Sequence, residues 1–132
     1  MPSAMTTKQV SWHNRLYRWR SVLRVTWLLS IFLISYLYLL PKMDIPYSFS
    51  GADKLGHFLA YLWLGALPFL SFIHMKRALA AAVSMIILGG GLELAQHWVP
   101  GRHVSAADML ANTAGVGMGI FLFRNIKKVL SS

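Results

Sequence analysis

The chain has 132 residues, of which 56% are hydrophobic and only 13% are charged, and this length suits a single domain. Four apolar runs of about 20 residues each would leave little room for a soluble domain. Cysteine is absent, which excludes disulfides and thiol chemistry. The net charge is +9, but the basic residues cluster at the ends of the apolar runs, as they do where charge sets membrane orientation, so no nucleic-acid partner is expected.

Residues 1–24 are predicted to form a basic amphipathic segment on the membrane surface. Trp12, Leu16, Trp19 and Leu23 recur at steps of four, three and four, which places them on one face of a helix. Four arginines flank or oppose that face: Arg15, Arg18, Arg20 and Arg24. A helix of this kind lies in the head-group layer with its apolar face down, so membrane lipids are expected partners.

Four membrane-spanning helices are predicted, roughly over residues 22–40, 53–73, 78–98 and 106–123, within one transmembrane domain of residues 25–128. No small-x-small cleavage pattern follows the first, so we expect an uncleaved signal anchor. Only residues 74–77 separate the second from the third, and so tight a turn implies an antiparallel hairpin. The predicted fold class is all-α: an integral membrane bundle of four transmembrane helices with an N-terminal amphipathic interfacial segment.

The distribution of charge predicts the orientation. Ten basic residues fall on the side of the N-terminus: Lys8, Arg15, Arg18, Arg20, Arg24, Lys76, Arg77, Arg124, Lys127 and Lys128. Three fall on the other side: Lys42, Lys54 and Arg102. This bias places both termini in the cytoplasm, with the chain expected to cross the cytoplasmic (inner) membrane. All four acids then face outward: Asp44, Asp53, Glu93 and Asp108.

Polar residues share one face on each of the last three spans, toward the outer end. These faces carry Asp53, His57 and Tyr61 on the second span, Gly89, Gly90, Glu93, Gln96 and His97 on the third, and Asp108, Asn112, Gly115 and Gly119 on the fourth. Because glycines let helices approach closely, the polar faces are expected to pack together around one pocket near the outer membrane surface. An oligomer formed through Gly115 and Gly119 on this face is also predicted.

Simpler roles remain open for several of these residues. Asp53 and Asp108 suit helix caps, and Ser105 and Asp108 have the spacing of a capping box. Glu93 is harder to explain, because a membrane helix gains nothing from a lone glutamate and an unpaired charge near lipid is costly. We therefore expect Glu93 or Asp108 to pair with Arg102 or His57.

Two kinds of chemistry are weighed for the pocket. Glu93 and His97 lie four residues apart, and Asp53, His57 and Asp108 could complete a metal shell, but no ligand set of standard spacing appears, so neither metal nor cofactor is predicted. The alternative is acid–base catalysis by Glu93 or His57 on a lipid head group that Arg102 holds. No serine elbow, phosphate loop or HExxH pattern is present, so enzymatic activity stays an open question.

Two motifs carry a resemblance to a known family. Asp53-Lys54-Leu55-Gly56-His57-Phe58-Leu59-Ala60-Tyr61 resembles the D-K-x-x-H-x-x-x-Y signature of the VanZ-like membrane proteins. The later pattern E-x-x-Q…R-x-x-S-x-x-D-x-x-x-N-x-x-G is matched by Glu93, Gln96, Arg102, Ser105, Asp108, Asn112 and Gly115. The resemblance covers roughly residues 44–120 and implies a small bacterial cell-envelope protein. The family takes its name from a glycopeptide-resistance determinant, and we treat resistance as a family label only.

The leading functional hypothesis is recognition of an amphipathic envelope molecule, such as a lipid-linked or lipid-tailed glycan or peptide. The residues expected to form its binding site are Asp53, Lys54, His57, Tyr61, Glu93, Gln96, Arg102, Ser105, Asp108 and Asn112. One alternative is a membrane enzyme acting on a lipid-linked envelope intermediate, with Glu93 or His57 as the base. A third is a structural or assembly subunit whose polar cluster only fixes helix packing.

Overall fold

The chain folds into four α-helices and one short 3₁₀ helix. The structure is a computed structural model that describes residues 7–42, 49 and 51–130, without the side chains of residues 7–13, 16 and 130. The helices are α1 (Thr7–Leu39), α2 (Ala52–Ser71), α3 (Met75–Ala95), the 3₁₀ helix Gln96–Trp98 and α4 (Ala106–Leu130). Within the described ranges every regular element is helical, which confirms the predicted all-α class.

Three of the four helices are long and apolar enough to cross a membrane: Tyr17–Leu39, Met75–Trp98 and Ala106–Val129. Their outward faces carry exposed apolar side chains, such as Phe32 at 77% and Ile87 at 75% exposure. α2 does not meet this condition, because Asp53, Lys54 and His57 in its first two turns lower its mean hydropathy. The prediction of four apolar spans is therefore confirmed for three.

α1 is one continuous helix through the predicted boundary between the surface segment and the first span. The candidate span within it begins at Tyr17, whereas sequence reasoning begins the span at residue 22. The side chains of Trp12 and Leu16, on which the amphipathic pattern depends, lie outside the described residues, as does Asp44. The surface placement of residues 1–24 stays a prediction.

α2 is the central helix and packs against α1, α3 and α4. It runs antiparallel to α1, since Trp27 Nε1 donates to the Leu64 carbonyl at 2.9 Å while Tyr38, further along α1, stacks near the start of α2. The core cluster joins the helices at Trp27, Tyr61, Leu64, Leu67, Met85 and Val116. From Tyr61 onward most α2 residues are buried against the other helices, whereas its first turn is exposed.

Glycines bring α4 into backbone contact with α2. A Cβ on Gly119 would lie 2.7 Å from the Leu62 carbonyl oxygen, and one on Gly115 would collide with the Phe58 carbonyl oxygen. The close approach predicted from the Gly-x-x-x-Gly spacing thus occurs inside the chain. Because α2 occupies this face, the predicted association of copies through Gly115 and Gly119 would need the helices to separate.

The two ends of the bundle differ in charge. At one end, Arg20, Arg24, His74 and Arg77 line a cavity between α1 and the α2–α3 turn, and Lys127 donates to the carbonyls of Phe69 and Phe72. The described acids lie at the other end, at the start of α2, the end of α3 and the start of α4. The described helices thus keep the separation of charges that the sequence predicts.

Candidate functional site

A cavity of about 220 Å³ opens at the acidic end of the bundle, where α1 and α3 end and α2 and α4 begin. Six of the ten predicted site residues line it: Asp53, Lys54, Gln96, Arg102, Ser105 and Asp108. Lys42, Gly101 and His103 complete the lining. The cavity lining therefore carries four basic side chains, of which Lys42 and His103 are not among the predicted site residues.

The other four predicted residues are buried side chains of the bundle. His57 is 5%, Tyr61 0%, Glu93 1% and Asn112 2% exposed. Gly89 makes room for them, because a Cβ there would lie 2.9 Å from the Tyr61 ring and 3.2 Å from the Asn112 amide nitrogen. The predicted set therefore divides into residues that line the cavity and a buried polar group that continues from Asp108 into the bundle.

His57 is held between α4 residues on both ring nitrogens. Its Nδ1 lies 2.9 Å from Asn112 Oδ1, and its Nε2 lies 3.9 Å from Asp108 Oδ2. An amide oxygen only accepts hydrogen bonds, so this contact places a proton on Nδ1 and leaves Nε2 facing the carboxylate. This contact, one of those that the sequence predicts, is an ion pair only when Nε2 also carries a proton.

Ser105 links α3 to the start of α4. Its Oγ accepts the Asp108 N–H at 3.2 Å, which is the first half of the predicted capping box. The second half does not form, because the Ser105 N–H donates to Glu93 Oε1 at 2.7 Å. Glu93 thus takes the bond predicted for the Asp108 carboxylate, and Asp108 turns to His57 instead.

The cap role considered for Asp53 is wrong. The N-cap residue of α2 is Gly51, whose φ of +89° suits only glycine well, and glycine has no side chain with which to cap the helix. Asp53 lies in the first turn, with Oδ2 3.6 Å from Lys42 Nζ. Both side chains are exposed, so this ion pair at the cavity mouth adds little stability.

Arg102 forms a contact that the sequence does not predict. Its Nε donates to the Leu40 carbonyl at 3.1 Å, rather than pairing with Glu93 or Asp108 within 4.0 Å. Leu40 follows the last turn of α1, whose final carbonyls have no partner within the helix. The guanidinium therefore closes the end of α1 and is held at the cavity wall.

α1 contributes Tyr38, which sequence reasoning missed. The Tyr38 ring lies 4.3 Å from the His57 ring, and its carbonyl accepts a bond of 2.9 Å from Gln96 Nε2. A signal was present in the sequence, since Trp27, Ile31, Ile34 and Tyr38 recur at steps of four, three and four on the face that packs on the core. The first span, which carries no family motif, thus covers the buried histidine.

Four buried polar atoms near His57 have no hydrogen-bond partner in the described part of the chain. They are Tyr38 OH, Tyr61 OH, Asp108 Oδ1 and Asn112 Nδ2. Buried polar groups are nearly always paired, so such a concentration indicates a place where a small molecule, water or ion fits.

The metal shell considered from the sequence is only partly brought together. His57, Glu93 and Asp108 present ligand atoms that all lie within 4.8 Å of one another. His97 is exposed on the 3₁₀ helix and lies edge-on against Trp98, and Asp53 pairs with Lys42. The helical spacing of Glu93 and His97 therefore does not correspond to a shared site.

Three apolar helices around a buried polar cluster define an all-helical membrane protein. A family model described as VanZ/LLP1 matches residues 2–128, and the chain belongs to this family. The match extends beyond the motifs to the segment and first span that carry no diagnostic residue. A comparison with curated proteins returned no match, and a comparison with solved structures returned none.

Proposed function

We propose that the chain binds the anionic head group of an amphipathic envelope lipid in the cavity at the acidic end of the bundle. The observation that carries the proposal is the lining of that cavity, where four basic residues, Lys42, Lys54, Arg102 and His103, outnumber the two acids, Asp53 and Asp108. Arg102 is the strongest candidate for the anion, because its guanidinium can bind a phosphate or carboxylate through two parallel hydrogen bonds.

Apolar surface beside the mouth supports a lipid rather than a free anion. Leu55 and Leu59 on α2, Trp98 after α3 and Leu110 on α4 are all exposed. These side chains lie within about three turns of a helix end at the cavity, which is the depth at which a head group and the first part of its tail would lie. A soluble anion would gain nothing from this surface.

We further propose that α2 crosses the bilayer as a fourth span, with the cavity at the outer leaflet of a bacterial inner membrane and both termini in the cytoplasm. The 20 residues of α2 extend about 30 Å, the thickness of a hydrocarbon core. His57 in its second turn is buried by protein, and Asp53 and Lys54 lie at its first turn beside the cavity, so low hydropathy does not exclude it. The basic end, with Arg20, Arg24 and Arg77, then faces inward as positive charge generally does.

The test is lipid protection against heat. Purified protein in detergent is mixed with phosphatidylglycerol, with a polyprenyl phosphate or with zwitterionic phosphatidylcholine, and the Tm is measured. We expect the anionic lipids to raise the Tm of the wild type and of Arg124→Ala, a matched control at the other end of α4. Arg102→Ala should express normally and lose most of that rise, and an unchanged rise would contradict the proposal.

An enzyme acting on a lipid-linked intermediate is the second candidate, and the orientation of His57 favours it. Asn112 fixes its Nδ1, Asp108 faces its Nε2, and Glu93 lies close by, which is the arrangement of an oriented general base. Glu93→Gln should then abolish turnover of a phosphorylated polyprenyl lipid while Tm protection persists. Retention of both turnover and protection in this variant would exclude Glu93 as the base, and retained turnover in His57→Ala as well would remove the enzyme hypothesis.

A structural or assembly subunit is the third candidate. The bonds from Glu93 to Ser105, from Gln96 to Tyr38 and from Arg102 to Leu40 each join separate segments of the chain. If holding these segments together is the whole role, apolar substitutions of matched size should be tolerated. Loss of lipid protection in a variant that folds normally would argue against this candidate.

A further inference from the structure

We propose that His57, Glu93 and Asp108 form a binding site for one divalent transition-metal ion. The three residues come from α2, α3 and α4, and their ligand atoms lie within 4.8 Å of one another. The inference goes beyond lipid binding at the cavity mouth and does not depend on it.

The distances suit an ion after a small closing movement. Bonds of about 2.0–2.2 Å from a metal to imidazole nitrogen and carboxylate oxygen allow donor atoms up to about 4 Å apart. His57 Nε2 and Asp108 Oδ2 are already 3.9 Å apart. The remaining separations, within 4.8 Å, need side-chain rotations that bring each carboxylate only slightly inward.

Hydrogen bonds from residues outside the cluster hold two of its three ligand side chains in position. Asn112 Oδ1 engages His57 Nδ1, which directs Nε2 into the cluster as the coordinating nitrogen. The Ser105 N–H engages Glu93 Oε1, which orients that carboxylate. Outer bonds of this kind are the usual accompaniment of metal ligands, since they fix the tautomer of the histidine and the direction of each lone pair.

The two carboxylates of the cluster also favour the binding of a cation. Glu93 is 1% exposed, and Asp108 Oδ1 is buried and has no hydrogen-bond partner among the residues that the structure describes. Arg102 Nε is engaged by the Leu40 carbonyl, and Asp53 pairs with Lys42 at the exposed mouth. Burying two neighbouring carboxylates near lipid costs free energy when His57 is the basic residue that faces them. A divalent ion would balance both negative charges.

The donor set selects the class of ion. One imidazole and two carboxylates suit Zn²⁺, Mn²⁺ or Fe²⁺ better than Mg²⁺ or Ca²⁺, which prefer oxygen alone. Three protein ligands leave at least one coordination position for water or another group. Asp108 also lines the cavity, so an open position on that side would be reached from the mouth.

The experiment uses the full chain in detergent, without a histidine tag and stripped of metal with EDTA. Zn²⁺, Mn²⁺ and Mg²⁺ are titrated separately by calorimetry, and bound metal is counted after desalting. We expect one equivalent of Zn²⁺ or Mn²⁺ to bind and to raise the Tm. Wild-type protein that binds neither ion, or whose Tm neither ion changes, would overturn the proposal without any variant.

Variants then locate the ion. Glu93→Gln and Asp108→Asn should each weaken binding more than about tenfold, and Asn112→Ala by about 10- to 100-fold through loss of the outer bond. His97→Ala is the matched control, because His97 lies four residues from Glu93 but is exposed outside the cluster, and it should bind as the wild type does. Unchanged affinity in both carboxylate variants, or a loss in His97→Ala, would contradict the assignment.

Discussion

At the scale of single residues, the site depends on which hydrogen-bond partner each backbone and side-chain group has. The residue types and their spacing predicted the polar set, including the pairing of His57 with Asp108. They could not predict that Glu93 takes the Ser105 N–H or that Arg102 takes the Leu40 carbonyl. Such choices depend on distances between segments that are far apart in sequence, and helical periodicity contains no information about them.

Asn112 provides a prediction at this scale. Asn112→Ala removes the partner of His57 Nδ1 in a buried site, and we expect it to lower the free energy of unfolding by about 1–3 kcal/mol. Thr113→Ala is the matched control, because Thr113 follows Asn112 in the chain and its side chain is exposed. Thermal or denaturant unfolding in detergent measures both, and equal stability of the two variants would show that the contact contributes nothing.

Ser105 provides a second prediction. Ser105→Ala removes the side-chain cap of α4 but leaves the backbone N–H that Glu93 binds. We therefore expect a loss of about 1 kcal/mol in stability, as for other N-caps, while the geometry of Glu93 is kept. The same unfolding assay reports the stability, and Zn²⁺ affinity close to that of the wild type would show that Glu93 stays in place. A loss well above 2 kcal/mol would mean that the hydroxyl has a further role.

At the scale of the helices, glycine positions explain why α2 and α4 pack so closely. The Gly-x-x-x-Gly spacing predicted close packing but not the partner, because small residues serve contacts within a chain and between chains equally well. Within the chain, the carbonyl oxygens of Phe58 and Leu62 on α2 meet Gly115 and Gly119. Close approach of these backbones also brings Asn112 within reach of His57.

Alanine substitutions at two glycines of α4 test this packing. Gly115→Ala places a methyl group against the Phe58 backbone, and we expect a loss of about 1–3 kcal/mol, as for other overpacked sites. Gly117→Ala is the control, because nothing lies within 4 Å of its added methyl group. Thermal unfolding of both variants measures the difference, and a Gly115→Ala variant as stable as Gly117→Ala would contradict the observed contact.

At the scale of the whole molecule, hydropathy predicted three spans well and α2 less well. α1, α3 and α4 present apolar faces outward, so their composition reports directly on lipid contact. α2 packs against all three other helices and buries His57, while Asp53 and Lys54 lie at its exposed first turn beside the cavity. Which helix occupies the centre depends on tertiary packing, which a hydropathy profile does not report.

The proposed topology predicts where the loops are accessible. The chain contains no cysteine, so single-cysteine variants give an unambiguous label. Val104→Cys, before α4, should react with a membrane-impermeant maleimide in intact bacterial spheroplasts. Arg77→Cys and Lys128→Cys should react only after the membrane is opened. Labelling of all three from outside, or of Arg77→Cys alone, would contradict four crossings with cytoplasmic termini.

The central claim is that side chains from separate helices form one interacting cluster around His57. A double-mutant cycle between His57→Ala and Asp108→Ala measures this most directly, with the free energy of unfolding in detergent as the readout. We expect a coupling energy of about 0.5–3 kcal/mol, as for other residues that interact in a network. Additive effects of the two substitutions, within about 0.3 kcal/mol, would mean that the residues do not interact and would contradict the account.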